Sequence, residues 1–187
     1  MKKTVFFLLA TTLLVSAVLT RAEAAMTWTG NCHEYEIVLV PGITWGDALK
    51  DVQDRLGEGW YLATVTSKQE NDWIYENLVA TAVLPLPDDP TLPQPLNREW
   101  WLGGFQYASN SADAKKNWRW VTGENWNYVN WNSIEPSGGE YFLGMWGSQS
   151  GDYSGVGGYW NDEGWLDNIN GYIAEKGTPG SKGGKCR

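Results

Sequence analysis

Apolar positions in the N-terminal half of the chain predict a strand followed by an amphipathic helix. Residues 34–40 are rich in β-forming side chains and stop at a Pro-Gly pair, which is typical of a strand that ends in a turn. After Thr44, apolar residues recur at helical spacing, and Asp47 lies where a capping box places an acid. We therefore expect a helix that begins at Thr44 and stops at Gly57.

A second strand and a second helix are predicted directly afterwards. Residues 60–66 have the composition of a strand, and Ser67 with Glu70 forms another capping box, which begins a helix that runs to Leu78. Prolines then recur through residues 80–97. They exclude regular structure there and imply an extended surface loop.

The C-terminal half combines short apolar runs with long loops. Residues 123–158 are rich in Gly, Asn and Trp, so most of this stretch is expected to be loop, and residues 177–185 form a Gly-rich tail. The runs that predict strands are residues 100–105, 118–121, 141–146, 159–160 and 171–175.

The N-terminal segment has the composition of an export signal. Two lysines precede an apolar run over residues 5–19, and small residues follow, so cleavage is expected after Ala24. A membrane anchor is the alternative, but the run is shorter than the ~20 residues that a spanning helix needs. We expect residues 1–24 to be a signal peptide and the remainder to be secreted or periplasmic, with no membrane insertion once the signal is removed.

Removal of that signal makes the chain more acidic. Residues 1–24 hold three of the 14 basic residues and one of the 22 acidic residues, so the remainder carries 11 and 21, a net charge of −10. This charge argues against nucleic acid and anionic membranes as partners, and favours cations or neutral ligands held through cations.

The two cysteines, Cys32 and Cys186, lie near the two ends of the exported segment. In an oxidising compartment they are expected to form one disulfide bond that ties these ends together. Two free thiols, or a bond to another chain, are the alternatives that the sequence leaves open.

Two short segments combine acidic side chains with amide and carbonyl oxygens. Residues 134–140 carry two glutamates around a Pro-Ser-Gly-Gly sequence, and residues 159–162 end in Asn161 and Asp162. Calcium favours several such oxygens on irregular backbone. A cis bond before Pro136 would turn the first segment's carbonyls and side chains toward one point. The alternative is that these acids only solvate loop tips.

Several sequence motifs occur in an order and spacing that resemble one known family. They include a Trp-Leu-Gly-Gly strand, a Glu-Pro-Ser segment and a Trp-Asn-Asp segment, and together they cover nearly all of the exported segment. The matching stretches are residues 60–67, 70–71, 101–104, 118–120, 130–131, 135–137, 160–162 and 171–176. On these motifs the chain resembles the C-type lectin-like domain.

The resemblance implies an α+β fold in which two helices flank small antiparallel sheets, with a long loop region rich in Gly, Trp and Asn. The domain would span residues 25–176, with residues 80–97 as a Pro-rich insertion and residues 177–187 as a tail. The family's two internal disulfides have no counterpart, and Ala174 stands where its last strand usually carries Cys.

The resemblance also implies a ligand. In sugar-binding members, one calcium ion is held by acidic and amide side chains, and two vicinal sugar hydroxyls complete its shell. By position, the implied calcium ligands are Glu135, Glu140, Asn161 and Asp162. The implied sugar contacts are the same four residues and Ser137, which stands where the family carries Asn; Pro136 would orient the loop. The aromatic residues that could stack on a sugar, or could equally be core, are Trp146, Tyr153, Tyr159 and Trp165.

Two other functions are weighed against calcium-dependent carbohydrate binding. An enzyme is not expected, because the single histidine, His33, lies near a terminus where it should be exposed, and because Glu135 and Glu140 share one short loop. A lectin-like protein-binding or adhesion module, without sugar or calcium, is the closer alternative. In that case residues 80–97 would be a contact surface; otherwise they are a spacer.

Overall fold

The computed structural model describes residues 24–84, 96–107, 113–148, 157–181 and 186. The proposed signal peptide lies almost wholly outside these residues, as do Tyr153 and most of the Pro-rich insertion. The described ends of that insertion, residues 80–84 and 96–97, carry no helix or strand, in agreement with the sequence.

Two α-helices and eight strands make up the described part of the chain. The elements are β1 Met26–Trp28, β2 His33–Leu39, α1 Trp45–Leu56, β3 Trp60–Leu62, α2 Lys68–Ile74, β4 Glu99–Gln106, β5 Trp118–Trp120, β6 Phe142–Trp146, β7 Trp160–Glu163 and β8 Ile169–Lys176. A π-helical turn, Tyr75–Val79, extends α2, and a short 3₁₀ turn, Leu166–Asn168, precedes β8.

Both helices begin where their capping residues predict. The Thr44 hydroxyl accepts a hydrogen bond from the Asp47 amide at 3.0 Å, and the Ser67 hydroxyl accepts one from the Glu70 amide at 3.2 Å. Helix α1 ends at Gly57, whose φ of 93° lies in the region that favours glycine.

The strands form one connected sheet, and this differs from the small antiparallel sheets that the sequence suggested. The strand order is β1-β2-β8-β4-β6-β7, with β3 paired to β8 and β5 paired to β4. Strands β4 and β8 run parallel and the other pairs are antiparallel. The α+β class and the two helices are confirmed, whereas strand order could not be predicted because apolar alternation does not encode which strands pair.

Strand β3 is shorter than the predicted run of residues 60–66. After Ala63, backbone amides donate to side chains: the Thr64 amide donates to Glu175 Oε2 at 2.8 Å, and the Thr66 amide donates to Glu70 Oε2 at 2.7 Å. Buried carboxylates therefore replace the strand ladder in this segment.

A cluster of tryptophans holds the loop region against the sheet. The Trp120 and Trp126 rings lie 4.6 Å apart between centroids, and the Trp118 and Trp131 rings lie 4.9 Å apart. Trp160 of β7 is fully buried and meets Trp120 edge-on at 5.7 Å. Such contacts bury large apolar areas and fix the approach to β7 without a local disulfide.

The ends of the domain are joined as the sequence predicted. Cys32 and Cys186 form a disulfide bond that closes a sequence separation of 154 residues.

In the described part of the chain, neither helix has the length and apolar character that crossing a bilayer requires.

His33 differs from its expected exposure. It is only 5% exposed, and its ring nitrogens lie 2.5 Å from Glu175 Oε1 and 2.7 Å from Ser181 Oγ. The sequence could not show this, because β2 pairs with β8 and so brings Glu175 to it from 142 residues away.

Candidate functional site

The two acidic segments identified in the sequence meet in the structure. Asp162 on β7 accepts hydrogen bonds from two successive loop amides, from Ser137 to Oδ1 at 2.7 Å and from Gly138 to Oδ2 at 2.9 Å. Asp162 is 1% exposed, so these bonds satisfy a buried carboxylate. The bond between Glu135 and Pro136 is cis, the form whose effect on this segment the sequence analysis considered.

Glu135 lies against Asp162 at this junction. Burial, followed by the charge of Asp162, raises the pKa of Glu135, while hydrogen bonds from the Ser137 side chain and backbone oppose that rise. Glu135 Oε2 is buried and has no hydrogen-bond partner among the described residues. An unsatisfied buried carboxylate oxygen of this kind is costly unless a ligand or an ion completes its bonding.

Glu140 belongs to the same electrostatic group. Burial raises its pKa to about 7, and the charges of Glu163, Asp162 and Glu135 add to the rise. The amide of Gly164, just after β7, lies against Glu140 and opposes the rise. The carboxylates of the loop and of β7 therefore repel one another across a short distance.

The side-chain nitrogen of Asn161 is directed toward a second pair of acids. Its Nδ2 lies 3.4 and 3.3 Å from the two oxygens of Glu99 and 3.5 Å from Glu163 Oε2. Asp162 thus meets the loop, while the Asn161 nitrogen meets Glu99 of β4. The structure thus brings Glu135, Glu140 and Asp162 together, and Asn161 is tied instead to neighbouring acids.

Glu99 and Glu163 were missed by the sequence analysis. They are 5% and 2% exposed, and burial followed by the charge of Glu163 raises the pKa of Glu99 well above its usual value. Glu163 accepts from the Gly164 amide at 2.7 Å, from the Trp165 amide, and from Asn168 Nδ2 at 3.1 Å. For Glu99 the available signal was an acid directly before an apolar strand run, since such positions seldom hold unpaired carboxylates.

No cation balances these five carboxylates within the described part of the chain. None of the ion pairs between described residues includes Glu99, Glu135, Glu140, Asp162 or Glu163. The donor set consists only of carboxylate, amide, hydroxyl and backbone oxygens, which suits a hard cation. Among the described residues, however, no group of three or more His, Cys, Asp or Glu side chains already stands in an arrangement that could hold a metal ion.

One aromatic side chain projects at the edge of the acidic group. Trp165 is 72% exposed, and its backbone is held by Glu163. Of the other aromatic candidates, Trp146 is buried in β6 and Tyr159 is 40% exposed. Trp165 is therefore the most exposed of the described aromatic candidates.

Comparison of the sequence with known proteins gives one distant relative. The chain is 26% identical over 170 residues to halomucin of Haloquadratum walsbyi, a match that covers 83% of this chain and 2% of that protein. The chain thus spans only a small fraction of the length of this relative. No protein-family profile matches the chain.

Comparison of the structure gives a consistent result. The carbohydrate-recognition domain of cow CD23, solved in the presence of a GlcNAc2Man3 oligosaccharide, is 18% identical with a TM-score of 0.51, over 84% of this chain and 95% of that one. The lectin CEL-I of Cucumaria echinata is 16% identical with a TM-score of 0.57, over 87% and 99%. SPL-1, solved with GlcNAc, is 19% identical with a TM-score of 0.54, over 88% and 98%.

The first of these solved structures is named as a carbohydrate-recognition domain and the second as a lectin. The order of elements and the long loop that returns to β7 agree with these likenesses. The chain has the fold of the C-type lectin-like domain.

Proposed function

We propose that this protein is a calcium-dependent carbohydrate-binding protein. The observation that carries the proposal is the group of five carboxylates around the loop of residues 135–140 and β7, which has no balancing cation in the described residues. Burial and the charges of neighbouring acids raise the pKa values of Glu140 and Glu99, and a bound cation would favour the charged forms of these carboxylates. Two proteins of the same fold were solved with sugars, which supports a sugar as the ligand bound through the cation.

Glu135, Glu140 and Asp162 would supply the carboxylate ligands. Glu135 offers a buried oxygen without a partner, and Glu140 is partly exposed beside it. Calcium takes ~6–8 oxygens, so backbone carbonyls, sugar hydroxyls and water would complete the set. When bound, the ion would accept two sugar hydroxyls and neutralise the acids that surround it.

Asn161 would join the set through its carbonyl oxygen. Its Nδ2 is directed to Glu99 and Glu163, whereas no described residue donates to its Oδ1. In this arrangement Glu99 and Glu163 are positioning residues: they fix the direction of the Asn161 amide. Ser137 donates to Glu135 and would orient that carboxylate.

A protein-binding module without calcium is the second candidate. It is favoured by the absence, in the described residues, of a preformed group of three metal-binding side chains, and by the two loop amides that already satisfy Asp162. Loss of glycan binding upon chelation would exclude it for the sugar site.

We also propose that the protein is exported, either secreted or periplasmic. The Cys32–Cys186 disulfide supports this, because such bonds persist mainly in oxidising compartments. Mass spectrometry of the protein recovered outside the cytoplasm should give an N-terminus at Ala25; retention of residues 1–24 in the folded product would contradict the assignment.

Glycan binding in calcium and in chelator tests the functional proposal. We expect binding on a glycan array in calcium and its loss in EDTA. Glu140→Gln, which removes one charge at constant size, should weaken binding, whereas Asp54→Asn, the same change of charge on exposed α1, should not. Binding that is equal in calcium and EDTA would contradict the role of the ion.

A further inference from the structure

A cavity lies away from the acidic loop, beside the disulfide bond. Its volume is about 490 Å³, within the range of small-ligand sites. It lies between the turn after β1, the beginning of α2, residues 123–127 and the segment that follows β8. The residues that line it and matter to the argument are Trp28, His33, Glu70, Glu124, Asn125 and Asn127.

The base of the cavity is a buried network that satisfies its own hydrogen bonds. The Tyr35 hydroxyl lies 2.6 Å from Glu70 Oε1 and 3.1 Å from Glu175 Oε1, and His33 Nδ1 lies 2.5 Å from the same Glu175 oxygen. The Thr66 amide and hydroxyl both donate to Glu70 Oε2. These groups are fixed by one another, so they form a rigid base with little capacity for a further strong ligand bond.

One wall of the cavity is the segment that follows β8, and it is held at several points. The Gly180 amide donates to Glu124 Oε1 at 2.7 Å, and Ser181 Oγ lies 2.7 Å from His33 Nε2. The disulfide bond anchors the chain end beyond this wall to Cys32, which stands between two residues that line the cavity. The cavity is therefore pre-formed, which lowers the entropy cost of binding.

Two amide side chains on the opposite wall remain available to a ligand. Asn125 and Asn127 are exposed, and neither side chain makes a hydrogen bond to another described residue. Each amide offers two donors and an acceptor. Trp28, half-buried beside them, adds an indole surface.

This lining selects a chemical class of ligand. Among the described residues, no Lys or Arg lines the cavity, so this lining offers an anionic ligand no counter-charge. The carboxylate of Glu175 is paired with His33, and both oxygens of Glu124 already accept hydrogen bonds, so these acids are held by donors of the protein itself. What remains is an aromatic surface with free amide donors and acceptors, and this suits a neutral polyhydroxylated ring.

We propose that this cavity is a second, metal-independent binding site for a neutral sugar unit, with Trp28 against the ring and the amides of Asn125 and Asn127 on its hydroxyls. The site shares no residue with the acidic loop. A negative result for this second site would therefore leave the calcium-dependent function proposed above unaffected, and the reverse also holds.

Saturation-transfer NMR in EDTA tests the site, with N-acetylglucosamine and mannose as probes and tetramethylammonium as a cationic control. We expect transfer to at least one sugar in the wild-type protein and in Glu140→Gln. The Asn125→Ala/Asn127→Ala double variant should lose about tenfold or more in affinity, since it removes two hydrogen-bonding groups. Gln53→Ala, an exposed amide on α1, should behave as the wild type.

Three outcomes would contradict the proposed sugar site. Absence of transfer to both sugars, equal transfer in the double variant, or transfer to tetramethylammonium alone would each overturn the proposal. Both asparagines are exposed and their side chains hold no described residue, so thermal unfolding of the double variant should match that of the wild type and confirm that any loss is local.

Discussion

At the scale of single residues, Asp162 makes the site possible. Its carboxylate accepts hydrogen bonds from the Ser137 and Gly138 amides and so joins a loop and a strand that are 24 to 25 residues apart in sequence. This contact places Glu135 and Glu140 beside β7. The sequence identified these acids from their motifs. It did not identify Glu99 or Glu163, because their proximity depends on the pairing of β6 with both β4 and β7.

Trp165 gives the prediction that belongs to this scale. Because its indole is 72% exposed at the edge of the acidic group, Trp165→Ala should weaken sugar binding by about tenfold, the effect of losing a stacking contact, without changing calcium affinity. Trp165→Tyr should retain most of the affinity. Calorimetry with a sugar from the glycan array measures both, and unchanged sugar affinity in the alanine variant would exclude Trp165 from the site.

At the scale of elements, local sequence was a good guide to the helices and a poor one to the buried polar groups. Thr44 and Ser67 cap helices where expected, because capping depends on residues three positions apart. The network of His33, Glu70 and Glu175 depends on β2, α2 and β8 meeting, and no local pattern reports it.

The same network predicts how stability changes with pH. Burial raises the pKa of Glu70 from its ordinary 4.5 to about 7, and the bond to Glu175 raises the pKa of His33 above 6.5. In both cases the folded protein retains a proton that the unfolded chain releases, so this stability is complete at low pH and is lost as pH rises through the raised values. Glu70 alone should account for a loss on the order of 2 kcal/mol.

Thermal unfolding in EDTA between pH 4.5 and 8 measures this effect. The unfolding temperature should fall as pH rises, and the slope should be smaller in Glu70→Gln, which cannot ionise. Glu76→Gln, an exposed position in the turn after α2, is the matched control and should retain the wild-type slope. A wild-type unfolding temperature that rises across this range would contradict the assignment.

At the scale of the whole molecule, two features stabilise a domain with long loops. One is the Trp cluster around Trp160, and the other is the end-to-end disulfide. The sequence predicted the disulfide because two cysteines allow one internal pairing. It could not give the parallel pairing of β4 with β8, which depends on the order of strands across the sheet.

Loss of the disulfide should lower stability without changing the fold. The loop it closes spans 154 residues, and loop-closure entropy assigns to it on the order of 4–5 kcal/mol. The Cys32→Ser/Cys186→Ser variant should therefore unfold at a clearly lower denaturant concentration than the oxidised protein. Adding reductant should lower the midpoint of the wild type and leave that of the variant unchanged; equal midpoints for the oxidised protein and the variant would contradict a stabilising role.

A calorimetric calcium titration, with magnesium as control, tests the central claim most directly. The account predicts saturable binding of one calcium ion per chain, weakened in Glu140→Gln and retained in Asp54→Asn, because only the first removes a carboxylate of the acidic group. Absence of saturable binding at millimolar calcium would contradict the calcium-dependent site and would direct the search to protein partners.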